Sequence, residues 1–268
     1  MISRFERSAS YLLLGVAALL ALYPMGLILL TALSPDQVGA EGGIHLENFV
    51  TAWERGSFGT YLKNSVIVSL AVVLLSAALA SLAGYAFGTM TFRGSSLLFY
   101  LLLLGLMVPS EAVVIPLYYD LKALDLTNTY ASLILPQVAQ SLAFGTFWMR
   151  AYFRSSSREV VEAARVDGAG HARILWSILL PMSRPALMTM VLLIFMWTWN
   201  EFLLPLVMVS DESLRTAPLG LSNFQGQYTE GTALLAAAAV LVALPVVVVF
   251  LLTQRHFIRG LVEGAVKG

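Results

Sequence analysis

The chain is 268 residues long, with 58% hydrophobic and only 12% charged residues, whereas roughly a quarter of the residues in a soluble domain are charged. So much apolar surface has no place in a water-soluble domain, and 16 basic residues cancelling 16 acidic ones leave no electrostatic footprint for nucleic acid. The absence of cysteine excludes disulfides and thiolate metal sites, and His45, His171 and His256 are too scattered to suggest a metal centre.

Apolar runs predict an all-α, polytopic membrane protein that forms a single domain over residues 1–268. Six spans are expected, at about 11–33, 62–88, 97–119, 130–150, 185–207 and 232–254. Each reaches the ~20 residues that a helix needs to cross about 30 Å of hydrocarbon. The first follows Arg4 and Arg7 as a signal peptide would, but it is long, carries Pro24 in its middle and shows no cleavage site, so it reads as a retained anchor.

Polar residues stand out inside these runs. In the third, Glu111 lies between Pro109 and Pro116, both of which disturb a helix. In the fourth, Gln137 and Gln140 suit hydrogen bonds between helices. In the fifth, Asn200 and Glu201 follow Trp197 and Trp199. A charged residue in hydrocarbon costs at least about 2.5 kcal/mol, so such groups face water or a partner. Sugars are held by hydrogen bonds to hydroxyls and by stacking on aromatic faces, which makes Glu111, Trp199, Asn200 and Glu201 candidates for a hydrated pathway wall. The same carboxylates also suit polar contacts between helices, and the Trp pair an interfacial belt.

An even number of spans puts both termini on one side. If that side is the cytoplasm, Arg55, Lys63, Lys122 and Arg215 face outward and the other twelve of the 16 basic residues face inward. The sequence therefore predicts a multi-pass protein of the cytoplasmic (inner) membrane with both termini inside. The outer loops long enough to hold structure are 34–61 and 208–231. The second is rich in Ser, Gly, Gln and Asn; its Asn223, Phe224, Gln225 and Tyr228 are candidates for docking an external protein.

The single long cytoplasmic loop, 151–184, carries the most specific pattern. Ser156 with Glu159 matches a capping box that opens a helix through Val160, Val161 and Ala164, which Gly168 and Gly170 end. A second short helix follows, with Ile174, Leu175, Ile178 and Leu179 on one side. Pro181 is expected to stop it, and Pro185 suits the first turn of the next span. No lysine of the chain follows a glycine, so there is no phosphate-binding loop here, and any ATP must be bound by another chain.

Glu162, Ala163, Ala164, three residues, Gly168, nine residues, Ile178, one residue, Leu180 and Pro181 match the EAA loop of ABC-importer permeases without a departure. The string Glu162–Ala169, with Asp167 inside it, resembles the carbohydrate-uptake, maltose-type branch. Asn128-Thr129-Tyr130, Trp199-Asn200-Glu201-Phe202 and the ending Gly264-Ala265-Val266-Lys267-Gly268 resemble it as well. The short region before the shared core is similar to that of the smaller permease of such a pair.

The resemblance implies a permease in a heterodimer with a second permease, above an ATPase dimer that holds ATP and Mg, with sugar delivered by an extracytoplasmic binding protein. It gives Glu162, Ala163, Ala164, Asp167, Gly168, Ile178, Leu180 and Pro181 to ATPase coupling by a helix-in-groove contact. The tail 255–268, ending Gly264–Gly268, is expected to reach the ATPase interface, extended from Gly260 onward. No cofactor, metal or catalytic residue is expected in this chain. A proton-coupled carrier using Glu111 and Glu201 is the alternative, but such carriers are usually built from internal repeats, which the sequence does not show.

Overall fold

The computed structural model describes residues 4–35, 43–156, 158–224 and 232–265, and these hold helices and no strand. The helices are α1 (Arg4–Ala32), α2 (Glu47–Arg55), α3 (Phe58–Thr89), α4 (Ser95–Met107), α5 (Ser110–Ala123), α6 (Tyr130–Ser156), α7 (Arg158–Val166), α8 (His171–Met182), α9 (Arg184–Trp199), α10 (Leu203–Met208) and α11 (Thr232–Ala265). The chain forms two compact units, residues 1–59 with 220–245 and residues 60–219 with 246–268.

In the first unit, α1 exposes leucines along its whole length, among them Leu12, Leu19 and Leu20, as a helix in lipid would. A helix leaves its last carbonyls without internal partners. Asn48 of α2 supplies one at the end of α1, donating to the carbonyls of Ala32 at 2.9 Å and Ser34 at 2.8 Å. Phe58 and Phe224 stack almost parallel, with centroids 6.2 Å apart.

The second unit is built on a close seam between α3 and α6. A Cβ on Gly84 would lie 2.6 Å from the Cβ of Met149, and one on Gly145 would lie 2.7 Å from that of Ala80, so the two backbones meet with no side chain between them. Val68, Val72, Leu133, Phe153, Met190 and Ile194 are buried around this seam. Arg150 of α6 is accommodated by lying over the Phe99 ring at 3.8 Å while Nε donates to the Phe87 carbonyl at 3.2 Å.

Two of the expected spans are not single rods. The run at 97–119 is α4 and α5, bent by 100°. Its cause is local: a proline ring drives the preceding residue out of the helical region, and Val108 and Pro109 are both extended, with ψ of 117° and 129°. Pro116, by contrast, lies inside α5. The run at 185–207 stops at Trp199, where the Asn200 side chain bonds the Met196 carbonyl at 2.7 Å and the chain leaves the helix before α10. Among the described residues, three helices are long and apolar enough to cross a membrane (Glu6–Ala32, Phe58–Thr89 and Thr232–Gln254), or up to five if each bent pair is one span. The fold is therefore an all-helical membrane fold. α6, 27 residues long, is a continuous rod but carries Gln137, Gln140, Arg150 and Arg154.

Candidate functional site

The loop at 151–184 is built from its ends inward. Gly168 has a φ of +77°, a value that a residue with a side chain adopts at a cost. The N–H of Ala169 donates to Ala164 at 2.9 Å and that of Gly168 to Arg165 at 3.0 Å, the paired bonds of a helix end closed by a left-handed residue. Nothing lies within 4 Å of a Cβ built on Gly168, so backbone conformation rather than crowding requires glycine there.

Beyond that turn, α8 is wound as a π-helix over Ile174–Leu179 and buries Ile174, Leu175 and Leu179. Pro181 does not stop it; α8 runs one residue further, to Met182, and Ser183 makes the 79° turn into α9, where Pro185 takes the second position. Tyr85 of α3 is hydrogen-bonded to His171 Nδ1 at 2.9 Å. From α6, Tyr152 donates to the Met182 carbonyl at 2.7 Å and Trp148 to the Ala186 carbonyl at 2.9 Å.

The motif residues thereby divide into two sets. Glu162, Ala163, Asp167, Gly168 and Pro181 are exposed. Ala164 is buried, and Ile178 and Leu180 pack against the core, so these three hold the loop to the membrane body. A hollow of about 800 Å³ opens beside α7, between Glu162, Arg154, Arg165, His171 and Thr89.

A second site lies at the two helix breaks. One hollow of about 300 Å³ is lined by Glu111, Glu201, Gln140 and Ser110, among others. Another, of about 540 Å³, shares Ser110, Gln140 and Glu201 and adds Asn200, Ser141 and Trp197. Glu111 follows the Pro109 break directly, and Glu201 follows the break at Asn200, so both carboxylates are delivered by interrupted helices. Glu201 also accepts the N–H of Leu204 at 3.0 Å, which opens α10. Trp199 does not line either hollow: it is 2% exposed and packs on Phe195. The aromatic side chains lining the larger hollow are Trp197, 52% exposed, and Phe144, which meet edge-to-face at 4.8 Å. Gln137 is buried and donates to Leu133 at 2.7 Å.

On the opposite side from the loop, Asn128-Thr129-Tyr130 is a fastening. Asn128, with a φ of +58°, accepts the N–H groups of Ser210 and Asp211 at 3.1 and 2.9 Å. Tyr130 donates to Asn64, whose amide donates in turn to the Ser213 and Arg215 carbonyls, each at 2.8 Å. Asp211 accepts the Ser213 N–H at 2.8 Å, and that bond holds its carboxyl below the ordinary carboxylate range. Of the docking candidates, Asn223 is exposed and Phe224 is half-buried; Gln225 and Tyr228 lie outside the described residues. The tail departs from its extended expectation, because α11 continues through Gly260 and Gly264 to Ala265. Val266, Lys267 and Gly268 lie outside the described residues.

Residues 80–262 match the family model described as binding-protein-dependent transport system inner membrane component. The chain is 34% identical to the arabinooligosaccharides transport system permease protein AraQ of Halalkalibacterium halodurans, over 94% of this chain and 93% of that one. It is 37% identical to the trehalose/maltose transport system permease protein MalG of Thermococcus litoralis, over 83% of this chain and 81% of that one. Among solved structures, a chain of a bacterial ABC transporter involved in the import of the acidic polysaccharide alginate shares the fold, with a TM-score of 0.78 and 24% identity, covering 96% of this chain and 99% of that one.

Proposed function

We propose that this chain, which belongs to the family of binding-protein-dependent transport system inner membrane components, is the permease through which an ABC importer passes a sugar. ATP and Mg are bound by a separate ATPase dimer, a second permease completes the pathway, and an extracytoplasmic binding protein delivers the sugar. The chain crosses the membrane six times with both termini in the cytoplasm: α1, α3, α6 and α11 are single crossings, α4 with α5 is another, and α9 with α10 is the sixth. Glu111, Asn200, Glu201 and, in place of Trp199, Trp197 form part of the pathway wall. Asn223–Tyr228 meet the binding protein, and Gly264–Gly268 reach the ATPase. The relatives are named for arabinose oligosaccharides and for trehalose or maltose, and the solved neighbour serves an acidic polysaccharide, so related importers include both neutral and acidic sugars.

The observation that carries this reading is the two-sided cytoplasmic loop: Glu162, Ala163 and Asp167 exposed, and Ile174, Leu175 and Leu179 buried behind them. An exposed acidic side suits charge-assisted bonds to basic groups of a partner, and a buried apolar side carries the partner's movement into the spans. In the importer reconstituted into liposomes, Glu162→Lys is expected to leave membrane insertion intact and lower ATP-driven uptake at least about tenfold, the factor that 1.4 kcal/mol of lost coupling produces. Uptake at the unmodified rate, with the ATPase still co-purifying, overturns the assignment.

A further inference from the structure

We infer that the hollow at the helix breaks discriminates by charge, admitting neutral or amino sugars and rejecting those that carry carboxylates. This rests on the reading of that hollow as part of the sugar pathway.

Glu111 and Glu201 line the same space, and no Lys, Arg or His lines either of the two adjoining hollows. Neither carboxylate has a basic partner among the described residues. Two unneutralised carboxylates in a narrow space walled by apolar helices focus a negative field into it, because the walls screen poorly. The remaining polar groups are uncharged and suit hydroxyls. Ser141 and Thr198 are only 8% and 7% exposed and line the larger hollow with hydroxyl-bearing side chains. Gln140 offers an amide to both hollows. Hydroxyl, amide and carboxylate acceptors bind a neutral hydroxyl-bearing ring, and an ammonium gains further from the carboxylates. A uronate meets like charge with no cation to offset it, which is selection by repulsion.

The chain has no cysteine of its own, so one introduced thiol reports the field directly. Ala139 lines the hollow with both carboxylates, and Ser110 lines both hollows; Ala139→Cys and Ser110→Cys each place a reporter there. In the assembled importer in liposomes, modification of this chain is followed with methanethiosulfonates of similar size, cationic (trimethylammonium-ethyl), anionic (sulfonatoethyl) and neutral, each rate normalised to that of free cysteine. The cation-to-anion ratio is expected to be at least tenfold that of free cysteine, and Glu111→Gln with Glu201→Gln is expected to bring it within about threefold. A ratio equal to that of free cysteine, or one the glutamine changes leave unmoved, overturns charge selection. If the neutral reagent reacts and blocks uptake in that case, the pathway reading still stands. If none of the three reagents reacts at either position while sugar is transported, the hollow is dry and both readings fall.

Discussion

The two bends of the second unit are made of different materials. The turn from α8 into α9 is packed and fastened: three apolar side chains are buried behind it, and Tyr85, Tyr152 and Trp148 bond its backbone or its histidine from two other helices. The break between α4 and α5 is set by backbone restriction at Pro109, whose carbonyl accepts the Ala112 N–H at 3.1 Å; Val108 and Pro109 are both exposed, and a hollow lined by carboxylates lies beside them. A bend packed this tightly suits the transmission of force, and a bend left open suits the passage of a solute. Under the proposed function, one bent-pair motif serves both tasks, and the side chains around the bend decide which.

The contrast breaks most readily at Leu179. Leu179→Ala removes a fully buried side chain behind the loop and is expected to cost about 2–5 kcal/mol, read as a lower unfolding temperature in detergent and as lost uptake. Glu111→Gln at the other bend is expected to leave that temperature unchanged. An equal drop at both sites would erase the distinction between packed and open bends. A smaller effect belongs to Gly168. Its left-handed φ costs about 1–2 kcal/mol in Gly168→Ala, and less in Gly168→Asn, because Asn visits that region more readily. Both are expected to lower coupled ATPase activity, with Ala the worse; the reverse order would mean that bulk, not backbone, sets the requirement. The smallest effect is at Asp211. Its folded-state pKa is depressed by the Ser213 N–H, so the stability it contributes is present above the unfolded value, about 3.9, and is lost as pH falls through the lower folded value. Asp211→Asn is expected to lower stability slightly at neutral pH, leave it almost unchanged below the folded-state value, and so flatten the acid limb of a pH–stability profile.

What is legible in the sequence is local. The end of α7 at Gly168, the apolar side of α8 and the disturbance at Pro109 each follow from a few neighbouring residues. The broken helices read as straight spans because apolar content over 20 residues averages across a two-residue interruption. Trp199 stands in for Trp197 in the sequence reading for a related reason: α9 is apolar nearly all round, so its pattern gives no phase to say which Trp faces inward. The glycines of the tail have low helix propensity and suggest an extended chain, yet α11 continues through them. The fastenings Tyr85–His171 and Asn64–Arg215 join residues 86 and 151 apart in sequence, and no short pattern announces them. Asn128-Thr129-Tyr130 is legible as a family string while its work, holding the 209–215 segment, is not.

The glycine seam has a mechanical meaning. Between Asn64 and Tyr85, α3 runs about 32 Å at 1.5 Å per residue, close to the thickness of the hydrocarbon layer. Over that length it touches α6 backbone to backbone at Gly84 and Gly145, and Tyr130 of α6 is pinned to Asn64 at the far end. Two rods joined without side chains between them have few rotamers to rearrange, so they do not flex as a cushion would. They form a beam. A tilt imposed at the α8 end through His171 or Met182 therefore reappears at the opposite end, where Asn64 and Asn128 hold the 209–215 segment, instead of dissipating along the way.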